Sequence, residues 1–144
     1  MLDAYRDLID ELLGTPKALR AAVAAHAGEN DDAPRAIVTL MRDRDALVLE
    51  RLDRMRKETN AHLRAIPDAA SAPLPTPTEP LAALLDDFDY RRGDLVSLLM
   101  NLTLKDWARV GTHEIDGEIT IAEEVETHVD FDEAMRARVA ASFS

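Results

Sequence analysis

The chain is 144 residues long, the size of one domain, and carries 28 Asp and Glu against 17 Lys and Arg, a formal charge of −11. That balance opposes docking on a nucleic-acid duplex or an anionic membrane. The absence of cysteine excludes disulfides, thiolate metal sites, iron–sulfur clusters and thiol nucleophiles, so imidazole chemistry rests on His26, His62, His113 and His128.

Hydrophobic residues make up 47% and aromatic residues only 4%, a mixture rich in Ala, Leu, Arg, Asp and Glu that favours helices. No apolar run approaches the ~20 residues of a membrane span. The opening Met1–Asp7 has no basic stretch followed by an apolar one, so a cytoplasmic location is expected.

The first helical region runs from about Leu2 to Ala27, with Leu2, Tyr5, Leu8, Ile9, Leu12 and Leu13 at helical spacing. Gly14-Thr15-Pro16 predicts an interruption, with Thr15 capping a second segment. A polar break over Gly28–Asp32 follows. The second helix is expected from Ala33-Pro34 to about Ile66, capped by Asp32, with Ile37, Leu40, Met41, Leu47, Val48, Leu52, Met55 and Leu63 as its stripe. Five prolines between Pro67 and Pro80 predict an extended linker, of the kind that crosses over between helices of a bundle.

A third helix spans about Pro80 to Lys105, its stripe running from Leu81 through Phe88 to Leu102, with Arg91 inside it. Asp106–Gly117 reads as irregular, and Trp107 reads as a plug at one end of the bundle. The fourth helix covers about Thr120 to Ala141, with Ile121, Val125, His128, Phe131, Met135 and Val139 on one side. It opens on a capping box, Thr120 with Glu123. The expected fold is all-α. It is a single-domain four-helix bundle over residues 1–144, with a long crossover between helices two and three.

Three stretches carry a resemblance. Ala33-Pro34 through Leu40 to Asp43 and Asp45 is similar to Ser-Pro-x-x-x-x-x-His-Leu-x-Asp-x-Glu. Asp106-Trp107-Ala108-Arg109-Val110-Gly111-Thr112-His113, followed by Gly117 and Thr120, resembles Asp-Trp-x-Arg-x-Gly-x-His…Gly-x-x-Thr. Phe131-Asp132-Glu133-Ala134-Met135 resembles His-Asp-x-x-His. These are motifs of the DinB/YfiT-like superfamily, bacterial four-helix bundles that include metalloenzymes and thiol S-transferases. The resemblance covers nearly the whole chain. It implies a three-histidine site for a divalent metal such as zinc or nickel, and a homodimer.

The departures fall on the metal ligands. Carried over position by position, the three histidines become Leu40, Phe131 and Met135. Leu and Phe have no lone pair, and a lone thioether suits only soft ions. The expectation is a bundle that has lost its metal, with a filled or apolar pocket at those positions and no cofactor.

Secondary candidates remain. His128, with Glu124 at i−4 and Asp132 at i+4, forms either a relocated metal or acid–base site or a buried histidine bonded to a carboxylate. Asp43 and Asp45 sit at motif positions, near a pocket mouth or in ion pairs with Arg42, Arg44 or Arg91. His113 reads as a loop-holding residue. His26 reads as a partner of its helix dipole, and His62 as solvent-facing. Nine acids and no Lys or Arg lie between Glu114 and Glu133; they read as a solvated face or, through Glu123 and Glu124, a hard-cation site. No HxxxH or HExxH motif, nucleophile elbow or phosphate loop is present.

Two functions compete. One is a metal-independent protein that binds a small apolar ligand or acts through dimerisation, with neither nucleic acid nor membrane as partner. The alternative is a metal-dependent thiol S-transferase or hydrolase with a displaced site around His128.

Overall fold

The structure, a computed structural model, describes residues 2–26 and 31–143. The polar break at Gly28–Asn30 and the side chain of His26 lie outside the described residues. Four long helices form as the apolar spacing requires: α1 (Leu2–His26), α2 (Asp32–Lys57), α3 (Leu81–Met100) and, after the elements described below, α5 (Ile121–Ala141). The expected four-helix bundle is present. Both α1 and α2 pack against α3 and α5, so the two helices adjacent in sequence occupy opposite corners. None of the described helices is long and apolar enough to cross a membrane.

α1 runs through Pro16 without the expected interruption. Proline has no N–H, so the Leu12 carbonyl loses its helical partner. Nη1 of Arg92 donates to that carbonyl instead, at 2.7 Å. Thr15, expected as an N-cap, is buried and donates its one hydroxyl hydrogen to Oδ2 of Asp132 at 2.7 Å, with the Glu11 carbonyl 3.3 Å away. A donor from another helix thus replaces the one proline removes, and the helix continues.

α2 stops at Lys57 rather than near Ile66. Its N-cap position is Asp31 rather than Asp32, with no side-chain cap bond. Arg109 closes the C-terminal end, Nε donating to the Met55 carbonyl and Nη2 to that of Glu58. Asn60 takes a positive φ of 52°, and Ala61–Leu63 then form a strand, β1. The segment expected to be irregular contains a short helix, α4 (Leu104–Trp107), and a hairpin of β2 (Val110–His113) and β3 (Gly117–Thr120). β1 pairs parallel with β2, and β2 antiparallel with β3. The fold is therefore a helical bundle with a three-stranded sheet at one end.

Each residue of the Asp-Trp-x-Arg-x-Gly-x-His stretch has an architectural task. Asp106 and Thr103 form a capping box on α4. Trp107 stacks on Tyr5 at 4.5 Å, closing the end of the bundle as expected. Gly111 lies against β1, where a Cβ would sit 2.8 Å from the Ala61 carbonyl oxygen. The Nδ1 atom of His113 accepts from the amides of Ile115 and Asp116, holding the turn. Thr120 and Glu123 form the predicted capping box on α5.

The linker is extended and held by arginines, which supply donors for carbonyls that no regular structure pairs. Arg51 reaches the Arg64 carbonyl, Arg44 that of Pro67, Arg138 that of Ala69 and Arg35 that of Glu79.

The core has two apolar halves. One gathers Leu12, Val48, Leu52, Leu95, Leu99, Trp107 and Val125. The other gathers Leu19, Ile37, Met41, Leu84, Phe88, Phe131 and Met135. Between them every long helix contributes a buried polar residue: Thr15, Asp45, Arg92, and His128 with Asp132.

Candidate functional site

The buried arginine on α3 is Arg92, not the expected Arg91. Arg91 is exposed and lies 3.7 Å from Asp87. Arg92 is 1% exposed. Its Nε and Nη2 donate to the two oxygens of Asp45 at 2.7 and 2.8 Å. Its Nη1 and Nη2 donate to the two oxygens of Asp132 at 2.6 and 2.9 Å. With the bond to Leu12, all five N–H groups are used. Burial disfavours the Arg92 cation, but the hydrogen bonds of Asp45 and Asp132 outweigh it and hold the guanidinium above its ordinary value.

His128 joins this layer, its Nε2 2.8 Å from Oδ1 of Asp45. An ionised carboxylate only accepts, so Nε2 is the donor. Nδ1 is buried without a partner. The structure does not gather His128 with Glu124 and Asp132 into a ligand set. Asp132 is held by Arg92 and Thr15, and Glu124 accepts from Nε of Arg51 at 2.7 Å. Asp43 is exposed on α2 and pairs with Arg42 at 3.1 Å. Among the described residues no three His, Asp or Glu side chains assemble where a metal ion would fit.

Leu40, Phe131 and Met135 all lie in or against one half of the core. Phe131 and Met135 belong to one apolar cluster, and half-buried Leu40 packs against it. Beside them opens a cleft of about 1000 Å³ between α2 and α5, roofed by the linker from Ala65 to Ser71 and by the β2–β3 turn. Phe131 forms part of its wall, and Leu40 and Met135 do not line it. The guanidinium of Arg44, one turn beyond Leu40 on α2, lies 4.1 Å over the Phe131 ring. Arg44 is the residue that sequence reasoning underrated, because it offered Arg44 only as an ion-pair partner for Asp43 or Asp45.

The chain matches no protein-family model and no curated protein. Among solved structures it superposes on YfiT from Bacillus subtilis, described as a probable metal-dependent hydrolase with an unusual four-helix bundle topology. The TM-score is 0.80 at 18% identity, over 96% of this chain and 85% of that one. The chain has the YfiT fold. The resemblance read from the sequence stands at that level, and the hydrolase description belongs to YfiT.

The metal that the resemblance implies does not fit the residues present. Two hydrocarbon side chains and one thioether offer no ligand set for zinc or nickel. A guanidinium over one of the three positions would repel a divalent cation there. YfiT and this chain share a scaffold, while the chemistry at these three positions differs from the family motif.

Proposed function

We propose that this protein is a small-ligand-binding bundle whose cleft works without a bound metal. The observation that carries this reading is the pair Arg44 and Phe131 on the wall of an open cleft, Phe131 at a position where the resemblance implies a metal ligand. A concave site that combines apolar side chains with placed charged groups is a usual form of a small-molecule site. A fixed guanidinium supplies positive charge and directed N–H donors without a metal.

The surroundings of His128 disfavour a displaced metal site there. That side chain is buried in the polar layer, and its neighbouring carboxylates already serve Arg51 and Arg92. The same reading includes the homodimer implied by the resemblance, which sedimentation of the purified chain tests.

The cleft is tested by thermal melting of untagged protein in excess EDTA, with and without a panel of small organic molecules. The expected result is a rise in Tm with some members, lost in Phe131→Ala. A melt that responds to such molecules only when zinc or nickel is added would contradict the reading.

A further inference from the structure

Arg44 and Arg92 are both buried, yet they differ in what they meet. Arg92 spends every N–H inside the protein. Arg44, 8% exposed, makes one hydrogen bond, from Nη2 to the Pro67 carbonyl. No carboxylate among the described residues lies within 4.0 Å of it, although Arg42, Arg51 and Arg92 each have one. Among the described residues only Arg56 Nε and His128 Nδ1 are buried without a partner, so the spare donors of Arg44, which lines the cleft, are open to solvent there. Burial, and then the neighbouring Arg51, hold the Arg44 guanidinium below its ordinary value, against the weaker pull of Glu124 and Asp68. An anion seated there would relieve that imbalance.

The mouth has the opposite sign. Arg51, the other cation lining the cleft, is neutralised by Glu124. Asp68, Asp116, Glu118, Glu123 and Asp130 all border the cleft and all are exposed. A simple anion would be repelled on the way in, and a simple amine would leave Arg44 unpaired. The cleft also has apolar lining, with Ile66, Ile119 and Phe131.

We propose that the cleft takes a small zwitterion, its carboxylate on Arg44 and its ammonium group among the acidic side chains of the mouth, with an apolar chain between. This rests on the ligand-binding reading above and names the class of ligand. Arg–carboxylate pairing is the strong, directional contact, and the mouth supplies attraction that salt weakens.

The test uses isothermal titration in EDTA with three probes of equal chain length: 6-aminohexanoate, hexanoate and hexylamine. The zwitterion is expected to bind at least about ten-fold tighter than either single-charge probe. Arg44→Gln should lower its affinity by about ten-fold or more, the scale of a lost charged hydrogen bond, and Arg44→Lys should restore part of it. Far-UV circular dichroism confirms that each variant folds, and the comparison of probes on the unaltered chain needs no variant. Hexylamine or hexanoate binding as tightly as the zwitterion would overturn the proposal. So would unchanged affinity in folded Arg44→Gln, or no binding of any probe up to about 10 mM, a limit that corresponds to negligible affinity. If none of the three binds but uncharged molecules still raise Tm in EDTA, the zwitterion fails and the broader ligand-binding reading survives.

Discussion

Arg92 and Asp45 meet through two parallel hydrogen bonds, 2.7 and 2.8 Å long, with both residues 1% exposed. The pair crosses from α3 to α2 at the level where the apolar core divides, and Asp132 carries it on to α5. A buried ion pair contributes little net stability against an apolar substitute, but removing one partner strands the other. Arg92→Met strands two carboxylates and frees the Leu12 carbonyl. The expected loss is about 3–5 kcal/mol in urea denaturation. A loss under about 1 kcal/mol would show that the layer does not organise the bundle.

The same layer makes stability depend on pH. Burial pushes the Asp45 carboxyl up, but hydrogen bonds from Arg92 and His128 outweigh it and hold the group below its ordinary range. Its folded value lies under its unfolded value. Its contribution is therefore complete above about pH 5 and is lost progressively as pH falls further. Tm should hold between pH 7 and 5 and then drop. Asp53 and Asp106 are also depressed, by the Arg56 hydrogen bond and the Thr103 amide respectively, so Asp45→Asn should flatten the acid limb without abolishing it. Identical acid limbs in the two proteins would count against this assignment.

Leu40→His, Phe131→His and Met135→His together should create zinc or nickel affinity, readable by calorimetry. If the triple variant folds and binds neither ion, the three positions do not correspond to the family's ligands. Phe131→His or Met135→His alone should cost about 2–4 kcal/mol, by burying an unpaired polar ring and leaving space.

Gly111→Ala tests the join between β1 and β2. A Cβ at 2.8 Å from the Ala61 carbonyl meets backbone, which cannot swing aside. The expected cost is about 1–3 kcal/mol, seen as a lower Tm. An unchanged Tm would mean that β1 and β2 can separate freely.

What could be read from the sequence was what depends on local spacing. The helix stripes, the proline linker, the Thr120 capping box and the plugging Trp107 follow from periodicity and side-chain type. Failures came where a distant partner decides. Residues 91 and 92 both fit a stripe that passes Phe88 and Leu95, and only Asp45 and Asp132 select Arg92. Pro16 reads as a break until Arg92 supplies the missing donor. β1, Ala61–Leu63, has three residues and no alternation long enough to distinguish it from a helix end. The apolar character of Leu40, Phe131 and Met135 was legible residue by residue. Arg44 was not, because its meaning lies in what is missing around it.

The central claim is that the cleft operates without a metal, and elemental analysis tests it most directly. Protein made without a polyhistidine tag and purified without chelator should contain transition metal far below one ion per chain. About one zinc or nickel ion per chain, retained through gel filtration, would contradict the account.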